Sequence, residues 1–203
     1  MRNWLALGRP VLTTTHGGYT LLLGNNDVFY DEVIHGPPGT RWSEASLSAW
    51  QSDVSTRAVE AGSQSEPEYD QFCYELARAT IRSRPLDFVR SVVYRVVSFW
   101  RVFPHASEQY TWPIRLGCAA IYIPEFVLMI IGLAQRSVWR WPLVSLPAAL
   151  VSFTLVHSIY WSDMRMRAPI MPAIAVLAAL GASRVWTAMR ERMPNVRIRT
   201  TKE

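Results

Sequence analysis

The side chains best suited to chemistry in this 203-residue sequence lie in one short polar stretch between apolar runs, Ser162-Asp163-Met164-Arg165-Met166-Arg167-Ala168-Pro169. Arg165 and Arg167 stand at the mouth of a helix that carries proline at or near its first turn. Guanidinium groups are preorganised donors for phosphate oxygens, and a helix N-terminus adds partial positive charge. An anion arriving there would meet both arginines. The competing reading is a pair that snorkels to lipid headgroups. His16, beside Gly17-Gly18, is a candidate acid–base group, although one histidine without a partner is more often structural. Asn25-Asn26 offers amides to a sugar hydroxyl or simply makes a turn, and the residues alone favour the turn. Glu125 lies near the middle of an apolar run, where a carboxylate is costly unless it faces a cavity or a partner. His157 and Asp163 are too few to make a metal site. No P-loop, Gly-x-Ser-x-Gly elbow, His-Glu-x-x-His helix or nucleic-acid module is present.

The apolar runs must hold these groups. A membrane-spanning helix needs about 20 mostly apolar residues, and three stretches qualify: 116–134, 142–160 and 168–186. The first contains one charge, Glu125. The second contains no Asp, Glu, Lys or Arg and has Trp139, Trp141 and Trp161 at its ends, as suits headgroup level. The third is Ala-rich and reaches full length only by running past Arg184 to Trp186. Just 18 % of the chain is charged, against about 25 % in soluble domains. Two cysteines, Cys73 and Cys118, exclude a disulfide framework and a cysteine-rich zinc site.

Charge is divided along the chain. Residues 1–114 carry ten Arg and twelve Asp/Glu, a net of −2, while residues 115–203 carry eleven Arg/Lys and four Asp/Glu, a net of +7. The basic residues flank apolar runs, which favours a membrane over nucleic acid as the partner. Arg136 and Arg140 between the first two runs, with six more from Arg184 onward, make eight basic residues; Arg115, Arg165 and Arg167 make three on the other side. Because Lys and Arg are retained in the cytoplasm, residues 1–114 and the 161–167 loop are expected outside, in a multi-pass protein of the plasma (inner) membrane. Trp4–Leu7 is too short for a secretory signal core, which needs about 7–15 residues. The chain is therefore expected to be the C-terminal part of a multi-span protein, or the product of a truncated frame.

The outer part divides at Gly24-Asn25-Asn26-Asp27, at Gly36-Pro37-Pro38-Gly39 and at Ala61–Ser65. Pro10–Thr15 with Tyr19–Leu23 reads as a hairpin, or Gly17–Leu23 as a short helix; sparse β-branching favours the helix. Ser65-Glu66-Pro67-Glu68 predicts a capped helix start, with Tyr69, Phe72, Cys73, Leu76, Thr80 and Ile81 at helical spacing. Arg84-Pro85 breaks it. A second helix from Pro85 sets Phe88, Val89, Val92, Val93, Val96, Val97 and Trp100 on one face. Its opposite face carries Asp87, Arg90, Tyr94, Ser98 and Arg101. Arg90, Arg95 and Arg101 argue against a span, and the pattern suits a helix lying in the interface, with its apolar face in lipid or against neighbouring helices. The expected fold is mainly α: an exoplasmic segment (1–84), an amphipathic interfacial helix (85–103), a three-span membrane region (104–186) and a basic cytoplasmic tail (187–203).

Arg2-Asn3-Trp4 and the run Leu12-Thr13-Thr14-Thr15-His16-Gly17-Gly18-Tyr19-Thr20-Leu21-Leu22-Leu23-Gly24-Asn25-Asn26 look like the outer loop of a family of bacterial polytopic glycosyltransferases. These are the dolichyl-phosphate-mannose-protein mannosyltransferase-like enzymes of the C-type superfamily. Tyr160-Trp161-Ser162-Asp163-Met164-Arg165-Met166-Arg167-Ala168-Pro169-Ile170-Met171-Pro172 is similar to their late loop and final helix. The resemblance runs from Arg2 to about Gly181. It implies transfer of a sugar from a polyprenyl-phosphate donor to an acceptor on the outer membrane face. It also implies that Thr13–Gly18 and Asn25-Asn26 border the donor or acceptor cavity, with His16 among the substrate-contacting residues, and that Arg165 and Arg167 neutralise the lipid phosphate. The family's acidic catalytic residue lies in an early outer loop with no counterpart in this chain, so no catalytic residue is assigned here and the N-terminal half of a parent protein is an expected partner. No metal or cofactor is assigned. A non-catalytic membrane-anchored binding or scaffold protein is the alternative, and a small transporter piece built around Glu125 and Pro124, Pro147 and Pro172 is a third reading.

Overall fold

Apolar residues at helical spacing, punctuated by Gly, Pro and Asn turns, produce a helical chain. The computed structural model describes residues 16–37, 39–104 and 110–192, and no strand occurs among them. Pro10–Thr15, a strand only in the hairpin alternative, residues Arg2 to Thr15 of the first stretch, and the tail arginines Arg197 and Arg199 with Lys202 lie outside the described residues. The chain divides into two units, Met1–Arg101 with Thr154–Met166, and Val102–Phe153 with Arg167–Glu203. Residues 154–166 therefore fold with residues 1–101, a join not visible from spacing along the chain.

The first unit contains α1 (Gly17–Leu23), the short α2 (Asp27–Phe29) continuing as a π-turn over Tyr30–Ile34, α3 (Glu44–Glu60), α4 (Glu66–Ser83) and α5 (Pro85–Phe99). The helical choice for Gly17–Leu23 and the Gly24–Asn26 turn are both seen. Helix α4 carries the expected capping box, Ser65 with Glu68, and ends at Arg84. Leu21, Leu22, Trp50, Val54, Cys73 and Ala77 form one core, and Phe29, Tyr30 and Val33 a second. Gly18 has a steric purpose: a Cβ there would collide with the Asp70 carbonyl, and its N–H donates to Asp70 Oδ1 at 2.6 Å. Helix α3 is only weakly signalled by residue order. Its signal is modest: Ser43 caps it by accepting from Ser46 N, and Trp50, Val54 and Ala58 recur every fourth residue.

Helix α5 is amphipathic as expected, but its buried face is the polar one. Ser91, Arg95, Ser98 and Phe99 are buried, whereas Leu86, Val89, Val93 and Val97 are exposed, at 57–73 %. The valine stripe thus faces away from the unit, and the side chains turned inward include the buried Arg95.

The second unit contains α6 (Trp112–Leu133), a 3₁₀ turn at Arg136–Trp139, the Ser145–Phe153 part of α7 (Ser145–Ile159), and α8 (Met171–Arg192). Helices α6 and α8 pack closely through glycine. A Cβ on Gly132 would meet the Leu177 carbonyl, and one on Gly181 the Leu128 carbonyl; small residues let backbones approach in this way. Gln135 Nε2 donates to Leu180 O at 3.0 Å and ties the end of α6 to α8. Helix α6 and the stretch Met164–Arg192 are long and apolar enough to cross a membrane, with mean hydropathies of 2.1 and 1.6. Only 17 % and 28 % of those windows are buried, and residues such as Ile121 and Ile130 point outward, a pattern compatible with membrane association. The middle run, 142–160, begins as a turn and yields a helix of 15 residues, about 22 Å long against a hydrocarbon core of about 30 Å.

Candidate functional site

Arg95 organises the first unit around a point where three segments meet. Its guanidinium has no solvent exposure. Nε donates to Ser158 O at 2.8 Å, Nη1 to Gly24 O, and Nη2 to Asn25 Oδ1 at 3.3 Å. All three acceptors are neutral. Burial pushes the Arg95 pKa down to about 10, partly offset by the nearby Tyr30 hydroxyl, so the group remains cationic at neutral pH. Tyr30, itself fully buried, donates to Asn25 Oδ1 at 3.0 Å. Its own pKa is raised, chiefly by burial.

The same junction joins α1 and the turn after it to the segment entering the 161–167 loop. Trp161 N donates to Thr20 O at 3.2 Å. Asn25 Nδ2 donates to Ile159 O at 3.0 Å and to Leu21 O at 2.8 Å. The Tyr74 and Tyr160 hydroxyls lie 3.5 Å apart, and the Trp161 ring sits 5.5 Å from Phe29 and 6.2 Å from Trp42. Residues more than 130 positions apart, such as Asn25 and Ile159, are thus held by main-chain and buried amide bonds. Ser162 Oγ and Trp42 Nε1 are buried here without a hydrogen-bond partner among the described residues.

The individual candidates fare differently. Asn25 and Asn26 are buried, and their amides are committed internally. Asn26 Oδ1 accepts from Phe29 N at 2.8 Å and Nδ2 donates to Leu22 O at 2.9 Å, so Asn26 caps α2. His16 is exposed and its Nε2 lies 3.7 Å from Glu66 Oε1. Arg165 is exposed on the 3₁₀ turn Met164–Ile170, whose start is fixed by Met164 N donating to Asp163 Oδ1 at 2.6 Å. Arg167 differs: it is 1 % exposed, and its guanidinium lies 4.8 Å from the Tyr122 ring centre and 5.1 Å from that of Phe126. Aromatic faces hold a cation there, and a phosphate reaching it would have to displace the rings. Glu125 is half-buried on the same helix, α6. The His157 ring stacks on Phe99 at 5.1 Å. Among the described residues no group of three or more His, Cys, Asp or Glu is placed to hold a metal ion.

A second polar cluster went unnoticed in the sequence. Arg84, at the α4–α5 boundary, donates from Nε to Asp87 Oδ2 at 2.9 Å, from Nη2 to Asp31 Oδ1 at 2.6 Å, and from Nη1 to Asp27 Oδ1 at 3.3 Å. Asp87 Oδ1 also meets His35 Nε2 at 2.8 Å and Arg90 Nη1 at 3.2 Å. Burial raises the Asp87 pKa, but the hydrogen bonds from Arg84 and His35 outweigh it and hold the carboxyl below its ordinary value. Arg84 looked like a simple helix break because its partners come from α2 and the π-turn, more than 50 residues earlier.

No protein-family model, curated protein or solved structure matches this chain.

Proposed function

We propose that this chain is the C-terminal portion of an integral-membrane glycosyltransferase that moves a sugar from a polyprenyl-phosphate donor to an acceptor on the outer membrane face. The observation that supports this most is the meeting of the two family-like stretches: Thr20 and Asn25 bond the backbone at Trp161 and Ile159 within one unit. Chance similarity in two separate stretches carries no expectation that they should be neighbours, whereas one active site requires it. In this reading residues 1–114 and the 161–167 loop lie outside the bilayer, three spans anchor them, and α5 lies in the outer interface with Leu86, Val89, Val93 and Val97 in lipid. The middle span reaches across by joining α7 to the turn residues before it, or by local thinning of the bilayer. Arg165, the exposed member of the pair, neutralises the donor phosphate, while Arg167 is held against Tyr122 and Phe126. His16 borders the site at its surface. The chemistry is displacement at the anomeric carbon: a carboxylate on the portion of the parent outside this sequence activates the acceptor hydroxyl, and arginine stabilises the departing phosphate.

The internal commitment of both asparagine amides favours a second reading, a membrane-anchored scaffold without catalysis. Sugar transfer by the parent protein in proteoliposomes, from a polyprenyl-phosphate sugar, separates the two. The transferase reading expects turnover that falls by about two orders of magnitude or more in Arg165→Ala, as for loss of a charge-stabilising donor. Full activity in that variant removes Arg165 from the site, and no turnover with any polyprenyl-phosphate sugar favours the scaffold.

A further inference from the structure

Away from the Arg95 junction, the first unit holds a cleft of about 370 Å³ lined by α1 to α4. Its size is within the range of small-molecule sites, about 300–1,000 Å³. Val54, Trp50, Leu22 and Leu76 give it an apolar side, and Asp27, Asp53, Arg57 and Thr80 a polar one. Of these residues, Asp27 also belongs to the Arg84 cluster, and the Leu22 carbonyl accepts from Asn26.

The charges narrow what this cleft can take. Two carboxylates line it, which disfavours an anion. Each is already faced by an arginine, Asp53 by Arg57 at 3.6 Å and Asp27 by Arg84 at 3.3 Å, so no uncompensated acid calls for a cation. Both contacts are long for charge-assisted bonds, and the Asp53 and Asp27 side chains keep 62 % and 65 % of their exposure. Their oxygens therefore retain capacity to accept from hydroxyls, while Arg57 and the Thr80 hydroxyl can donate to them. A lipid tail fits poorly against such a rim, because every polar group it covered would lose water without gaining a partner. The remaining class is a neutral molecule with one apolar face and a ring of hydroxyls.

We propose that this cleft binds a short neutral saccharide, its C–H face against the apolar side and its hydroxyls on Asp27, Asp53 and Arg57. Its role as the acceptor subsite rests on the transferase reading; the binding itself does not. Saturation-transfer NMR on the full chain in nanodiscs, with maltose, cellobiose and mannobiose as probes and spermidine and inositol hexaphosphate as charged controls, tests it without any donor. Ala79 lines the cleft from an exposed position on α4, so Ala79→Trp fills the space without disturbing the core. Transfer to at least one disaccharide is expected, with affinity at least about tenfold weaker, or about 1.4 kcal/mol, in both Ala79→Trp and the exposed-site variant Asp53→Ala. Absence of transfer to all three disaccharides overturns the proposal. So does binding that Ala79→Trp leaves unchanged, or a charged control binding in place of the disaccharides. Saccharide binding by a chain whose parent transfers no sugar would leave the cleft standing while the transferase reading fell.

Discussion

Arg95 Nε donates 2.8 Å to the main-chain carbonyl of Ser158, 63 residues further along the chain. Through this bond and its partners at Gly24 and Asn25, the turn after α1 and the segment entering the late loop become one piece. A lysine has the charge but not the planar fork that reaches three acceptors. Arg95→Ala is expected to destabilise the protein by about 1–3 kcal/mol for each acceptor left buried and unpaired, and Arg95→Lys to recover only a fraction. Denaturant titration in detergent measures this, and an unchanged midpoint in Arg95→Ala would mean that the junction is held elsewhere.

The Asp87 cluster makes an acid-limb prediction. The folded carboxyl sits below its ordinary pKa, so the unfolded chain binds more protons as pH drops. Its stabilising contribution is complete above the unfolded value of about 3.9 and is lost as pH falls through the lower folded value. Unfolding free energies measured from about pH 5 downward should decline more steeply in the wild type than in Asp87→Asn, which starts less stable. Parallel curves would exclude Asp87 as a source of acid sensitivity.

Arg165 and Arg167 should separate by phenotype. Arg167 lies against Tyr122 and Phe126, so Arg167→Ala is expected to lower thermal stability by the equivalent of about 0.5–2 kcal/mol. Arg165→Ala should leave the melting temperature unchanged. Differential scanning fluorimetry in detergent reads both. A reversed order would contradict the burial of Arg167.

Backbone approach at Gly132 and Gly181 leaves no room for a methyl group. Gly132→Ala and Gly181→Ala should each cost about 1–3 kcal/mol through overpacking, seen as earlier thermal unfolding in detergent. Wild-type melting in both variants would mean that α6 and α8 are not in such close contact.

Much of this architecture can be read from residue order, and the unread parts have a common cause. The Ser65–Glu68 capping box, the Arg84-Pro85 break and the α5 periodicity are local signals, and the helices follow them. Which face of α5 turns inward is not local. Valine stripes ordinarily point to a core, yet here Arg95 and Ser91 do so, and the acceptors of Arg95 arrive from distant segments. Arg95 was legible only as a charge that opposed a membrane span. Asn25-Asn26 showed its turn but not its amide partner at Ile159. Helix α3 escaped notice because most of its surface is polar and its apolar residues Trp50, Val54 and Ala58 form a narrow stripe.

That stripe reversal on α5 can be probed by nitroxide labels at Val93 and Arg90, both exposed. In liposomes, Val93 should collide more with oxygen and Arg90 more with a water-soluble nickel chelate. Equal accessibility at the two positions would remove α5 from the interface.

The claim on which the functional reading depends is that residues 1–114 and the 161–167 loop lie outside the bilayer. Single cysteines at His16, Arg165 and Arg136, in a background with Cys73 and Cys118 replaced by serine, can be exposed to a membrane-impermeant maleimide in intact spheroplasts. The account predicts labelling of the first two without permeabilisation and of Arg136→Cys only after it; labelling of Arg136→Cys alone in intact spheroplasts would contradict it.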